Sequence, residues 1–307
     1  MNENTLPLVT VIVPCYNHEK YIETCLDSIF RQIYQNIEVI VIDDCSPDNS
    51  AEIIKKLQQK YDFKFIEHQE NWGLTKTLND VINNYATGKY IKCIASDDYL
   101  TNSCIQILVN KAILCGKSCA FVYGQARSFT YDKDGTKRYS KILGKDTSQI
   151  KLLFEENQIP APAVLFDKQK FIEVGGFANI FIEDIYLWLK FANKYEFAFV
   201  EDIVCYYQLN NIESMSNNYP KMRSNMIYII SKFFIEEKSS DNQLLYDKYF
   251  DSIYEHYSGY KIQQIQKTLT ENKLKAFKLY FRNLLLLIHG RRRLLLTFWF
   301  KIFKLRK

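Results

Sequence analysis

The sequence lacks the cysteine and histidine patterns that would indicate a structural metal site or a disulfide scaffold. Its eight cysteines include no CxxC pair, and its four histidines lie far apart. Neither a zinc site nor the disulfide framework of a small secreted domain fits such spacing in a chain of 307 residues. We therefore expect reduced, mostly buried thiols in a cytoplasmic protein.

The sequence also lacks an apolar stretch of signal-peptide length before its first strand-like segment, which predicts no secretory leader. It has no uninterrupted apolar run of about 20 residues, the length that a spanning helix needs. The apolar runs at 284–288 and 294–300 are separated by Arg291, Arg292 and Arg293. Each arginine at a membrane centre costs roughly 2.5 to 3.5 kcal/mol. The sequence thus predicts a chain that does not cross a membrane.

Acidic residues are absent after Glu271, and this absence divides the charge of the chain. Residues 272–307 carry 11 of the 40 Lys and Arg, so residues 1–271 hold 29 basic against 35 acidic residues, a net charge of −6. An acidic body argues against nucleic-acid binding. The cationic end, with its Leu, Phe and Trp, is typical of an amphipathic helix lying on an anionic membrane surface. A packed C-terminal helix with a solvated cationic face is the alternative.

Short apolar runs alternate with amphipathic stretches through the first 125 residues. The predicted strands are 8–14, 37–42, 63–66, 90–94 and 120–123, and the predicted helices are 20–33, 51–61, 75–85 and 103–115. This alternation predicts an α/β fold, with a mostly parallel sheet covered by flanking helices. Strand signals then give way to a helical pattern. We expect an α/β domain over 1–215 and a helical C-terminal region over 216–307, which ends in the basic amphipathic tail.

Two pairs of carboxylates follow predicted strands. Asp43 and Asp44 come directly after the second strand, and Asp97 and Asp98 follow the fourth. Because ligands of open α/β sheets bind at the carboxyl ends of the strands, both pairs should meet at one edge. A divalent cation such as Mg²⁺ or Mn²⁺ would relieve their mutual repulsion. The alternatives are that the acids only cap turns and helices, or that the chain contains a receiver domain, which would leave most of it unexplained.

Several segments together resemble the family-2 inverting glycosyltransferases of the GT-A fold. These are VTVIVPCYNHEKYI, VIVIDDCSPDNS, NWGLTKTLND, ASDDYL, VGGF and IEDIYLWLKFA, in the order and spacing of that family over roughly residues 8–215. The resemblance implies a Rossmann-like GT-A domain and a nucleotide-diphospho-sugar donor, usually a UDP-sugar. It also implies transfer to a saccharide or lipid-linked glycan acceptor.

The resemblance assigns roles by position. Donor contacts are implied for Pro14, Tyr16, Asn17, Asp43, Asp44, Lys76, Asn79, Ser96 and Asp97. The metal motif, for Mn²⁺ or Mg²⁺, falls on Asp97 and Asp98. Asp184 matches the catalytic base and Glu183 its neighbour, although acids in a first helical turn are also typical of simple capping. We expect Trp188 to stack on the acceptor sugar.

Three departures from the family pattern favour alternatives. Ala95 stands where the family usually has Asp, Leu78 replaces a frequent Arg, and Gln208 and Asn210 replace an Arg and a His. A catalytically weak nucleotide-sugar-binding module is therefore one rival, and a membrane-surface interaction protein is another. Our main hypothesis is a metal-assisted glycosyltransferase of the cytoplasm, peripheral on the inner face of the cell membrane, with no nucleic-acid partner.

Overall fold

The structure is a computed structural model, and it describes residues 6–132, 134–147, 159–180 and 182–209, with six helical positions between 225 and 236. The chain divides into two compact units, Met1–Tyr219 and Pro220–Lys307. The basic tail lies outside the described residues, so its predicted amphipathic helix stays a prediction. Among the described residues, no helix has the length and apolar character needed to cross a membrane.

Strands and helices alternate through the first unit. The strands are β1 (Val9–Cys15), β2 (Ile37–Asp43), β3 (Lys64–Glu67), β4 (Tyr90–Cys93), β5 (Tyr99–Leu100), β6 (Cys119–Tyr131), β7 (Lys137–Leu143), β8 (Val164–Asp167) and β9 (Glu196–Gln208). The helices are α1 (Ile22–Phe30), α2 (Ser50–Leu57), α3 (Leu74–Asn84), α4 (Cys104–Cys115), α5 (Lys168–Glu173) and α6 (Glu183–Lys194), with a 3₁₀ turn at Ala161–Ala163.

The nine strands form one sheet in the order β3-β2-β1-β4-β8-β6-β9-β5, and β7 pairs with β6. The first four neighbours, β3-β2-β1-β4, are parallel, as is the pair of β6 with β9. The short strand β8 runs antiparallel to both β4 and β6. The predicted α/β class with a mostly parallel sheet and flanking helices is confirmed.

Burial on both faces of the sheet fixes the register of the central strands. The β-branched residues Val9, Val11 and Val13 of β1 pack with α1 and α4 on one face. On the other face, an aromatic cluster joins β6 and β8 to the helices α5 and α6, through Phe121, Phe166, Phe171, Phe177, Trp188 and Phe191. This cluster packs α6, whose first turn contains Glu183 and Asp184, against the sheet.

Candidate active site

Side chains of the loop after β2 and of the first residue of α2 bind three successive backbone amides of the loop after β1. The amides of Asn17, His18 and Glu19 donate to Ser46 Oγ (3.0 Å), Ser50 Oγ (3.0 Å) and Asp48 Oδ2 (2.9 Å). In addition, the amide of Asp44 donates to the carbonyl of Cys15 over 2.9 Å. These bonds join the carboxyl ends of β1 and β2 into one edge, as the parallel arrangement predicts.

Both of these loops contain a residue in the left-handed backbone region. Asn17 has φ = 60° and Cys45 has φ = 62°. Asparagine tolerates this conformation, whereas the conformation costs a cysteine of order 1 kcal/mol or more. Such strain persists where surrounding bonds over-determine the backbone, and here the cross-loop bonds do so. Of the other predicted residues at this edge, Pro14 lies in β1 and Tyr16 is exposed at the loop surface.

The adjacent acids Asp43 and Asp44 are both buried but have different partners. Asp44 accepts hydrogen bonds from the amides of Trp72 (2.9 Å) and Gly73 (2.8 Å), and His68 Nδ1 lies 2.7 Å from its Oδ1. Asp44 therefore fixes the entry of α3. Asp43 Oδ2 accepts from the Ser46 amide, while its Oδ1 is buried and has no hydrogen-bond partner in the part of the chain that the structure describes. A buried acceptor of this kind is suited to an N–H group of a ligand.

The His68 ring extends the Asp44 contact into a stack. The imidazole lies against the indole of Trp72, with ring centroids 4.2 Å apart. Lys76 places its Nζ 3.9 Å from the centroid of the same indole. The predicted donor residue Lys76 thus lies beside Trp72 on the exposed face of α3, where its charge remains accessible.

The fourth strand brings Ser96 and Asp97 to the same edge through His18. The Nδ1 of His18 lies 2.7 Å from Ser96 Oγ, and its Nε2 lies 3.9 Å from Asp97 Oδ2. Ser96 is completely buried, whereas Asp97 is only partly so. The predicted donor residues Asn17, Asp43, Ser96 and Asp97 therefore do come together at the carboxyl ends of β1, β2 and β4.

Asp98, next to Asp97 in the chain, binds the backbone of β9. Its Oδ1 accepts the backbone amide of Gln208 at 2.8 Å, so Asp98 attaches the end of β4 to the end of β9. Burial, together with the neighbouring Asp97, raises the pKa of Asp98 well above its usual range. Because its Oδ1 already accepts the Gln208 amide, only Oδ2 is left for the metal role that the resemblance implies for Asp98, and that role stays a prediction. The side-chain Oε1 of Gln208, also buried, has no hydrogen-bond partner among the described residues.

The residues at this edge fit a divalent cation through Asp97 and His18. A carboxylate with an imidazole suits Mn²⁺. Within the described part of the chain, no three His, Cys, Asp or Glu side chains cluster as a complete metal site. The remaining ligands would come from donor phosphates and water, as is usual for Mg²⁺ at nucleotide sites.

Glu183 and Asp184 occupy the first turn of α6, where the helix dipole favours negative charge. Burial and the adjacent Asp184 raise the pKa of Glu183 to about 8. At neutral pH, Glu183 is therefore mainly protonated. This assignment is consistent with Asp184 as the base and Glu183 as its neutral neighbour.

Two predicted site residues have structural surroundings instead. Both polar atoms of the Asn79 amide bind the backbone of Phe177: Nδ2 donates to its carbonyl (2.8 Å) and Oδ1 accepts from its amide (3.0 Å). Trp188 is only 2% exposed, and its ring packs among Phe121, Phe166 and Phe191. Because the indole has no open face, the expectation that it stacks on an acceptor sugar is wrong for this structure.

The sequence is similar to those of known proteins. Residues 10–175, more than half of the chain, match the family model described as Glycosyl transferase family 2. The chain belongs to glycosyl transferase family 2. Its curated relatives include the glycosyltransferase GlyG of Streptococcus pneumoniae, 33% identical over 149 residues that cover 48% of each chain. Another is the poly-beta-1,6-N-acetyl-D-glucosamine synthase of Staphylococcus aureus, 28% identical over 67% of this chain and 51% of that one.

Solved structures show the same fold. The mannosyltransferase PcManGT of Pyrobaculum calidifontis, in complex with GDP-Man and Mn²⁺, gives a TM-score of 0.63 at 17% identity, covering 93% of this chain and 81% of that one. S. aureus TarS 1-349 in complex with UDP-GlcNAc gives 0.57 at 18% identity, covering 89% of each. The chain spans about half or less of the length of the curated relatives it matches first.

Sequence reasoning missed two histidines of this site. His18 contacts Ser96 and approaches Asp97, and His68 contacts Asp44. A signal for His18 was available, because it directly follows the Tyr16–Asn17 loop that the resemblance had assigned to the donor. No comparable signal marks His68, which becomes adjacent to Asp44 only because β3 pairs with β2.

Proposed function

We propose that this glycosyltransferase moves a sugar from a UDP-sugar to a saccharide or lipid-linked saccharide, with inversion at the anomeric carbon. The observation that carries the proposal is the convergence of Asp43, His18, Ser96 and Asp97 at one edge of the sheet. The UDP-GlcNAc complex of TarS, a protein of the same fold, supports a nucleotide-diphospho-sugar donor.

In this proposal, the two acids at the end of β2 have different roles in donor binding. The unpartnered Asp43 Oδ1 accepts an N–H of the nucleobase, while Asp44 keeps the Trp72–Gly73 backbone in place beside it. Asp97 and His18 would hold a divalent cation, which supplies neutralisation of the charge on the departing diphosphate. Lys76 adds a positive charge on the α3 side.

Asp184 takes the proton of the acceptor hydroxyl as that oxygen attacks the anomeric carbon. The bond from this carbon to the diphosphate oxygen breaks, and the diphosphate leaves with the bonding electron pair. An ordinary carboxylate is a weak base toward an alcohol, so positioning of the hydroxyl contributes much of the rate. Glu183, in its protonated form, avoids a second negative charge beside the base.

A donor-binding and transfer experiment tests this function. UDP-sugars are screened with Mn²⁺ by thermal stabilisation; a ligand at 100 times its Kd adds about 2.7 kcal/mol to stability. The hit is then used in a transfer assay with the wild type, Asp97→Ala and Asp184→Asn. We expect Asp97→Ala to weaken binding and Asp184→Asn to bind the donor but lose transfer. Binding by the wild type without turnover would favour the rival nucleotide-sugar-binding module, to which Ala95 and Gln208 point.

We further propose that the cationic segment 272–307 attaches the enzyme to an anionic membrane surface on the cytoplasmic side. The support is its eleven Lys and Arg with no acidic residue, each contributing on the order of 1 kcal/mol near an anionic leaflet. Co-sedimentation with phosphatidylglycerol vesicles, compared with phosphatidylcholine vesicles, tests it. Deletion of residues 284–307 should abolish sedimentation; retention of sedimentation and of activity on a lipid-linked acceptor would contradict the proposal.

A further inference from the structure

A cavity of about 550 Å³ opens between α1 and the short strand β5. Its aromatic lining comes from Tyr99 and Tyr206, and its polar lining includes Thr24, Asp27, Arg31 and Asn102. The volume lies within the range of about 300 to 1,000 Å³ that is typical of small-molecule sites. None of these residues belongs to the donor edge described above.

The tyrosines of this cavity continue into a larger aromatic surface. Tyr99 stacks on Tyr206 with centroids 4.6 Å apart, and its hydroxyl lies 3.0 Å from that of Tyr139. The ring of Tyr139 lies 5.3 Å from that of Tyr206. Lys137 places its ammonium 4.2 Å from the centroid of the Tyr99 ring. Tyr99 is thus held by its neighbours, and we call Tyr99, Tyr131, Tyr139 and Tyr206 the tyrosine platform.

Two members of the platform are open to solvent. Tyr139 is 49% exposed and Tyr131 is 40% exposed, a large exposure for aromatic rings that lie close together. Lys137 pairs with Tyr131 across β6 and β7, which keeps the hairpin in register. Isolated exposed aromatics are common on protein surfaces, but a fixed group of them beside a polar cavity is typical of a binding site.

The platform is continuous with the donor edge. The ring of Tyr131 lies 6.2 Å from that of Tyr21, and Tyr21 in turn lies 5.8 Å from the His18 imidazole. Tyr99 directly follows Asp98 in the chain. A ligand that lies on the platform therefore extends toward the edge where Asp97 lies.

We propose that the cavity and the tyrosine platform bind an oligosaccharide, a part of the acceptor or product chain some way from the reacting sugar. One face of a sugar ring consists of C–H groups and packs on an aromatic ring. The hydroxyl groups of the sugar need planar polar side chains as hydrogen-bond partners. The platform supplies the aromatic rings, and the Asp27–Arg31 ion pair at the cavity supplies the polar partners, with Oδ2 and Nη2 3.3 Å apart. The inference rests on the proposed function for the identity of the ligand as a saccharide.

An array of bacterial surface oligosaccharides, probed with the full-length protein, tests the inference. We expect the wild type to bind at least one oligosaccharide, and Tyr139→Ala and Tyr206→Ala to bind it about tenfold more weakly. Tyr139→Phe keeps the ring and should stay within about twofold of the wild type. The matched control is Tyr85→Ala, because Tyr85 is also exposed (37%) and also has a lysine, Lys64, over its ring at 4.2 Å.

UDP binding and melting temperature are measured on the same preparations, so that the two proposals can fail separately. If the wild type binds UDP but no oligosaccharide, or if both alanine variants bind oligosaccharide as the wild type does, the platform proposal is wrong. A loss in Tyr139→Phe as large as in Tyr139→Ala would also contradict it, because stacking does not need the hydroxyl. If the array signal depends on the platform but no UDP-sugar binds or reacts, the proposed function fails and the platform stands.

Discussion

The imidazole of His18 lies between the side chains of Ser96 and Asp97, with its Nδ1 2.7 Å from Ser96 Oγ and its Nε2 3.9 Å from Asp97 Oδ2. This arrangement places an imidazole nitrogen beside Asp97, two residues after Ala95, where the resemblance leads us to expect a carboxylate. It also links the first donor loop to the end of β4. His18 therefore has a position from which it can affect both cation affinity and the orientation of Asp97.

Replacing His18 should weaken cation use. We expect His18→Ala to lower sugar transfer about 10- to 100-fold at limiting Mn²⁺, with part of the loss recovered at high Mn²⁺. Ser96→Ala should have a smaller effect in the same direction, because it removes only the partner that orients the ring. Mn²⁺ titrations of transfer, and calorimetry of Mn²⁺ binding in the presence of UDP, measure this. An unchanged Mn²⁺ dependence in His18→Ala would contradict it.

Substitutions of the adjacent acids Asp43 and Asp44 should affect different properties, UDP binding for Asp43 and stability for Asp44. Asp44→Asn replaces one acceptor oxygen with an NH₂ donor that faces the backbone N–H of Trp72 or Gly73, so we expect a loss of roughly 2 to 4 kcal/mol in the free energy of unfolding. Asp43→Asn leaves only one acceptor for the Ser46 amide and the ligand, so it should weaken UDP binding about tenfold at near-normal stability. Urea denaturation and UDP calorimetry on both variants compare them. The reverse pattern would show that the roles are exchanged.

Asn79→Ala should lower the free energy of unfolding and leave UDP affinity within about twofold of that of the wild type. Its amide makes two hydrogen bonds to Phe177, so Asn79→Ala should cost about 2 kcal/mol. Gly176→Ala is the partner variant, because Gly176 has φ = 68° and a Cβ there would lie 2.7 Å from Asn79 Oδ1. In a double-mutant cycle, the second substitution should cost less when the first is present. Strict additivity, or a large loss of UDP affinity in Asn79→Ala, would contradict this account.

Glu183 should make stability depend on pH. Its pKa is raised in the folded state from 4.5 to about 8, so the folded chain holds a proton that the unfolded chain releases. Stability from this group is therefore fully present below about pH 4.5 and is lost as pH rises toward 8. Glu183→Gln cannot lose a proton at this position. The difference in melting temperature, variant minus wild type, should therefore increase between pH 5 and 8. Exposed Glu201→Gln is the control, and parallel curves for Glu183→Gln and wild type would contradict the prediction.

The sequence was sufficient for the first half of the fold and for the location of the donor edge. The β-branched runs of β1 and β2 are buried on both faces, so short apolar segments marked them to within about a residue. Because the carboxyl ends of parallel strands meet, the sequence predicts that Asp43 and Asp97 lie at one edge. This inference needs only strand direction and order.

Side-chain direction and the second half of the sheet could not be obtained in this way. Asp97 and Asp98 are adjacent acids, yet one faces the edge and the other binds the Gln208 amide, because β9 ends beside it. Strand β9 lacks a clear alternation of apolar residues, and its pairing with β6 joins segments about 80 residues apart. For Trp188, helical spacing indicated only an inward direction, and the aromatic cluster that covers it comes from distant strands.

The three consecutive amides of Asn17, His18 and Glu19 have a consequence for how anions are recognised. Many nucleotide-binding loops hold phosphate in a concave array of backbone N–H groups. Here those N–H groups already donate to Ser46, Ser50 and Asp48. These three backbone N–H groups are therefore not available to bind phosphate. Discrimination between nucleoside diphosphates and monophosphates must then depend on the cation and on side-chain charge. Removing divalent ions should consequently reduce the preference for UDP over UMP, with the side-chain charge of Lys76 left to maintain the remainder.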